Sequence, residues 1–168
     1  MNSAPKIRNI VKRTTLIVRD MEKSRRWYEY VLGMKAWIDM PYTLSGKGIA
    51  AGKKGDVTHL VIMQCEDPRI GMIGLLQWVD PPLPAPEIPT SVGYGTPVFV
   101  VDTEDAAEVA RRAAELGTRV HTPERTFKVT GSKGETRHLL GCAIFDPDGY
   151  FYECNQVLRI DEPEDSAD

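Results

Sequence analysis

The chain has 168 residues, enough for one substantial core or two small modules but not for two large independent domains. Its formal charge of −3 and its 27% of charged residues give no broad basic field, so neither nucleic acid nor an anionic membrane is an expected partner. Cys65, Cys142 and Cys154 are odd in number and form no CxxC pair, which argues against a disulfide framework, and no run approaches the ~18 apolar residues of a membrane helix. Three buried thiols in a cytoplasmic protein are expected, and the N-terminal MNSAPKIRNIVKR lacks the apolar region of a signal peptide.

In chain order, TTLIVRDMEKSRRWYEYVLGMKAWI (residues 14–38) opens with a β-branched run ending at Asp20. Met21, Trp27, Tyr28, Val31 and Leu32 follow at helical spacing, Gly33 is a stop, and a new apolar run begins. Next comes MPYTLSGKGIAAGKKGD (40–56), glycine-rich but without the GxxxxGK[ST] spacing of a phosphate loop, and so read as a loop over a cavity mouth. HLVIMQCEDP (59–68) and GMIGLLQWVD (71–80) supply two further strands. PPLPAPEIPT (81–90) holds five prolines, which can neither continue a helix nor bond within a central strand, and is read as a linker.

The plan then repeats. TPVFVVDTEDAAEVARRAAELGTRV (96–120) gives a strand from Val98 to Val101, an acidic helix start at Thr103 to Asp105, an Ala-rich helix, and a stop at Gly117 before Val120. HLLGCAIFDP (138–147) has the same eight-residue interval from histidine to Asp-Pro as HLVIMQCEDP, which suggests that His59 and His138 occupy equivalent third strands. FDPDGYFYECNQ closes the second half as a hairpin whose second strand carries a single carboxylate, Glu153. The expected architecture is α+β: two tandem βαβββ modules, residues 8–80 and 91–160, joined by the 81–90 linker, with an acidic disordered tail over 161–168.

These residues resemble the vicinal oxygen chelate superfamily, which includes glyoxalase I, bleomycin-resistance proteins and extradiol dioxygenases. LIVRDMEKSRRWYEYVLGMK is similar to that family's first strand and helix, and FDPDGYFYEC to its final hairpin. The resemblance implies curved mixed sheets enclosing a cavity, with metal-dependent members placing one ligand on the first and one on the last strand of each module. Glu153 matches the last-strand acid of the second module. The first-strand histidine position holds Arg13 in the first module and falls near Thr96 in the second, and the polar residue nearest the remaining position is Gln77. An arginine offers no lone pair, so a divalent site is not expected, and Glu153 would be its ligand if there were one.

If Asp146 pairs with Gly149 across the turn, Cys142 lies opposite Glu153, and His138 shares its face. The candidate site is then Glu153 as a catalytic base, with Arg13, Gln77, Thr96, His138, His59 and Cys142 as ligand contacts, and Trp37, Met40, Tyr42 and Trp78 as an apolar wall or as plain core. A metal-free binder of a small molecule, of resistance or sequestration type and acting as a homodimer, is the leading expectation. A lyase, isomerase or dioxygenase using Glu153 as base or metal ligand is the alternative, and an interaction module built for dimerisation is a third.

Overall fold

The computed structural model describes residues 9–163. Of the acidic tail expected over 161–168, Asp161 closes the last strand and residues 164–168 lie outside the described residues. The elements are β1 (Arg13–Ile17), α1 (Met21–Val31), β2 (Lys35–Thr43), β3 (Val57–Gln64), β4 (Met72–Asp80), β5 (Val98–Asp102), α2 (Ala106–Glu115), β6 (Val120–Thr130), β7 (Thr136–Phe145) and β8 (Phe151–Asp161). The described residues divide into two compact units, 9–29 with 33–85 and 86–163 with 30–32. Each holds a four-stranded sheet, in the orders β1-β4-β3-β2 and β5-β8-β7-β6. In both, the first and last strands are parallel neighbours and the other pairs antiparallel, giving an α+β fold of two βαβββ modules without a closed barrel. Among the described residues no helix is long and apolar enough to cross a membrane.

In the first unit the Asp20 carboxylate accepts from the Lys23 amide at 3.0 Å and starts α1. Gly33, at φ 64°, ends it where an L side chain would be strained. Trp27, Tyr28 and Val31 are buried on the helix. Gln77 of β4 braces the helix start, accepting from Met21 N at 3.0 Å and donating to Arg19 O at 3.1 Å, while Arg25 reaches Asp39 of β2 at 2.6 Å. These bonds put α1 on the sheet face carrying Leu16, Val61, Ile73, Leu75 and Gln77. The other face presents Thr15, Leu60, Ile62, Met72, Gly74, Leu76 and Trp78.

The second unit repeats this with smaller side chains. Asp105 caps α2, accepting from Glu108 N, and Ala106, Val109, Ala110 and Ala113 pack over β7 and β8. Gln156 of β8 reaches the amide of Ala106 at 3.4 Å, the counterpart of the Gln77 brace.

The final hairpin turns one residue later than the Asp146–Gly149 closure expected from sequence. Phe145 pairs with Phe151, and the Asp146 carboxylate accepts from both Asp148 N (2.9 Å) and Tyr150 N (2.8 Å), so residues 146–150 form the loop. Glu153 therefore stands opposite Ala143, and Cys142 opposite Cys154. The cysteine reading is corrected as well: Cys142 and Cys154 are buried, but Cys65, just past the end of β3, is exposed.

Candidate functional site

Parity along β8 puts Phe151, Glu153 and Asn155 on the face that α2 leaves uncovered. Glu153 is exposed there, flanked by Val100 on β5 and Ala143 on β7. Corresponding positions in the two units follow from the strand registers. Ile17 lies beside Leu76 just before the Gln77 brace, as Asp102 lies beside Asn155 just before Gln156. Counting back, Gly74 is the counterpart of Glu153, and Val98, beside Phe151, is the counterpart of Arg13, beside Met72.

That count corrects two assignments. Gln77 lies on the α1 face with its amide committed to the helix start, and glycine stands where its module would carry the acid. Thr96 precedes β5, in a turn closed by its own amide on Gly93 O at 3.1 Å, and the first-strand position belongs to valine. The four first- and last-strand positions thus read Arg13, Gly74, Val98 and Glu153. Neither module's pair fits a divalent ion: the first offers a permanent cation and a glycine, and the second a single carboxylate beside a valine. Among the described residues no three His, Cys, Asp or Glu side chains gather as a metal-binding group.

Both histidines singled out from the sequence fall on helix-covered faces. His59 pairs with Gln77 across β3 and β4 and contacts the Asp39 carboxylate at 2.6 Å. That contact, together with Arg25, holds Asp39 below the usual carboxylate range. His138 has the parity of Cys142, not of Glu153, and its Nε2 lies 2.7 Å from Asp161, which it helps hold low. Nor are the two equivalent. Met63 beside Ile73 matches Ile144 beside Tyr152, so the counterpart of His59 is Leu140. Cys142 faces α2, and its hydrogen bond and burial push the Cys154 thiol up. The histidine that sequence spacing did not mark is His121. A bulge between Val120 and Thr122 turns its ring against Phe145 and Phe151, 6.2 and 5.8 Å between centroids.

The uncovered face of the first unit is where a cavity forms. Leu44, Leu76 and Trp78 make a buried cluster joined by Ala51 and Leu60, so the glycine-rich loop after β2 folds back over the sheet. Asp56 holds it, accepting from Trp78 Nε1 at 3.1 Å and Lys53 N at 2.9 Å. Beside this loop lies a hollow of about 500 Å³ lined by Arg13, Thr15, Tyr42, Leu44, Leu60 and Leu76. A second, of about 480 Å³, shares Arg13 and Thr15 and continues to Trp37 and Met72. Tyr42 and Met40 are on this face and partly exposed, as a cavity wall requires, whereas Trp78 belongs to the buried cluster.

The glyoxalase/bleomycin resistance protein/dioxygenase superfamily model matches residues 10–154. Among solved structures, a glyoxalase family protein from Bacillus cereus aligns with TM-score 0.69 and 16% identity over 94% of this chain and all of that one. The fosfomycin resistance protein FosX from Mesorhizobium loti aligns with TM-score 0.52 and 19% identity over 88% and 91%. An integron cassette protein from V. cholerae gives 0.50 and 20% over 92% and 98%. At these identities the likeness is one of fold. No functionally curated protein matches the chain.

Proposed function

The chain belongs to the glyoxalase/bleomycin resistance protein/dioxygenase superfamily, and from that premise we propose that it binds a small organic molecule without a divalent metal, as a resistance or sequestration protein. The observation that carries this reading is the set Arg13, Gly74, Val98 and Glu153 at the four first- and last-strand positions. A first-strand arginine repels a cation as well as failing to ligate it. A glycine removes the carboxylate that would balance the charge. What remains suits binding: a partly apolar hollow with a few polar groups at its edge, the general form of a small-molecule site.

The alternative is a lyase, isomerase or dioxygenase that keeps Glu153 as its base or metal ligand. Proton abstraction would need a carboxylate in apolar surroundings. Phe151 shares the face of Glu153, but Cys142, expected opposite it, does not. Elemental analysis of the purified protein, combined with thermal melts with and without EDTA and with added zinc, nickel, manganese or iron, separates the readings. Substoichiometric metal and unchanged melting are expected. A near-stoichiometric metal whose removal lowers the melting temperature would overturn the metal-free reading.

A further inference from the structure

Arg13 is a permanent cation on the uncovered face of the first sheet, and among the described residues no carboxylate or other side chain pairs with it. Its stem is not free to wander. A Cβ placed on Gly74 would lie 3.3 Å from Arg13 Cδ and 2.9 Å from Thr15 Oγ1, so both side chains lie across the sheet in the space that glycine leaves. That posture sets the guanidinium and the Thr15 hydroxyl at the edge of the hollow whose floor and walls are Leu60, Leu76, Leu44 and Tyr42. By contrast, Arg25 of the same unit is paired with two carboxylates, Glu29 and Asp39.

We propose that this hollow takes an amphipathic carboxylate, its head on the Arg13 guanidinium and Thr15 hydroxyl and its apolar body along Leu44, Leu60 and Leu76. The inference rests on the binding reading above and names the chemical class that reading leaves open. A single guanidinium matches a carboxylate in a planar, two-pronged geometry. Among the described residues no second cation lines this hollow, Lys12 bordering only the neighbouring one, so a dianionic phosphate would keep one charge unpaired by them.

The test is calorimetric titration of the full chain with four probes of equal chain length: octanoate, octanol, octylamine and octyl phosphate. Octanoate is expected to bind about tenfold or more tighter than octanol, from one charge-assisted contact at a partly exposed site, with octylamine weakest. Arg13→Met should erase the preference for the acid while leaving octanol binding in place. Gly74→Glu should abolish it by giving Arg13 an internal partner, and melting curves report whether each variant is folded. If octanoate and octanol bind equally and Arg13→Met changes neither, the anionic class is wrong while small-molecule binding stands. Preference for octyl phosphate overturns the carboxylate assignment. If none of the probes saturates, this hollow is not the site. Only binding that requires added metal would count against the metal-free reading itself.

Discussion

The Gln77 side chain shows how one residue can be misplaced by sequence and explained by geometry. Read as a polar residue in an apolar strand, it suggests a ligand contact. In the fold it spends both ends of its amide on the start of α1, supplying an acceptor to one of the amides that a helix leaves unpaired. Gln77→Ala is expected to cost about 1–2 kcal/mol of stability, measured as a shifted urea midpoint at unchanged slope. Gln156→Ala should cost less, because it loses one longer bond, to Ala106 at 3.4 Å, where Gln77 makes two. Equal losses would show that the two braces do not differ as their geometry implies. That the last strand carries a carboxylate at Glu153 was legible, but its exposure and its cross-strand neighbour were not. The Asp146 carboxylate binds two amides within its own loop, and that choice, which shifts the pairing by one residue, leaves no mark in the spacing of DPDG. The same one-residue logic removed Cys142 and His138 from the face of Glu153.

The two helices were readable because each is signalled locally, by Asp20 and Asp105 as starts, by Gly33 and Gly117 as stops, and by apolar period between them, whereas β2 runs on through residues 40–43, which their glycine-rich continuation had suggested as loop. Correspondence between the halves was not readable at single-residue precision. It depends on loop lengths and bulges, and the eight-residue match between His59 and His138 proves to be two residues out of structural register. Within α2, charge pattern predicts a pH response. Glu108 accepts from Arg111 at 2.7 Å and from Arg112 at 2.8 Å, which holds its carboxyl down to about 2 from an ordinary 4.5. A carboxylate depressed in the folded state contributes stability that is present above its unfolded value and lost as pH falls through the folded one. Glu108→Gln should therefore lower the melting temperature slightly at neutral pH, and the difference should close between pH of about 4.5 and about 2. Both arginines are substantially exposed, so the difference should also shrink in high salt. A gap that persists at pH 2 would assign the effect to helix propensity instead of charge.

At the scale of the molecule, the uncovered face of the second sheet carries apolar side chains that have no reason to remain in water. Val98 is 45% exposed, Val100 68% and Val157 42%, all on the face of Glu153. Exposed valines on an otherwise uncovered sheet face are candidates for an interaction surface, and each apolar Å² buried on association contributes roughly 25 cal/mol. Most oligomers are symmetric assemblies of one chain, and a twofold pair closes on itself without leaving an open surface. Homodimerisation is therefore expected, with light scattering at micromolar concentration returning twice the chain mass. Val100→Asp would set a second carboxylate beside Glu153, with which it is in register. Its added charge should drive the protein toward monomer while leaving both sheets folded, because Val100 is already largely solvent-exposed within its own chain. A monomeric wild-type protein would mean that the valines are covered by nothing, and an unchanged dimer in Val100→Asp would place the interface on another face.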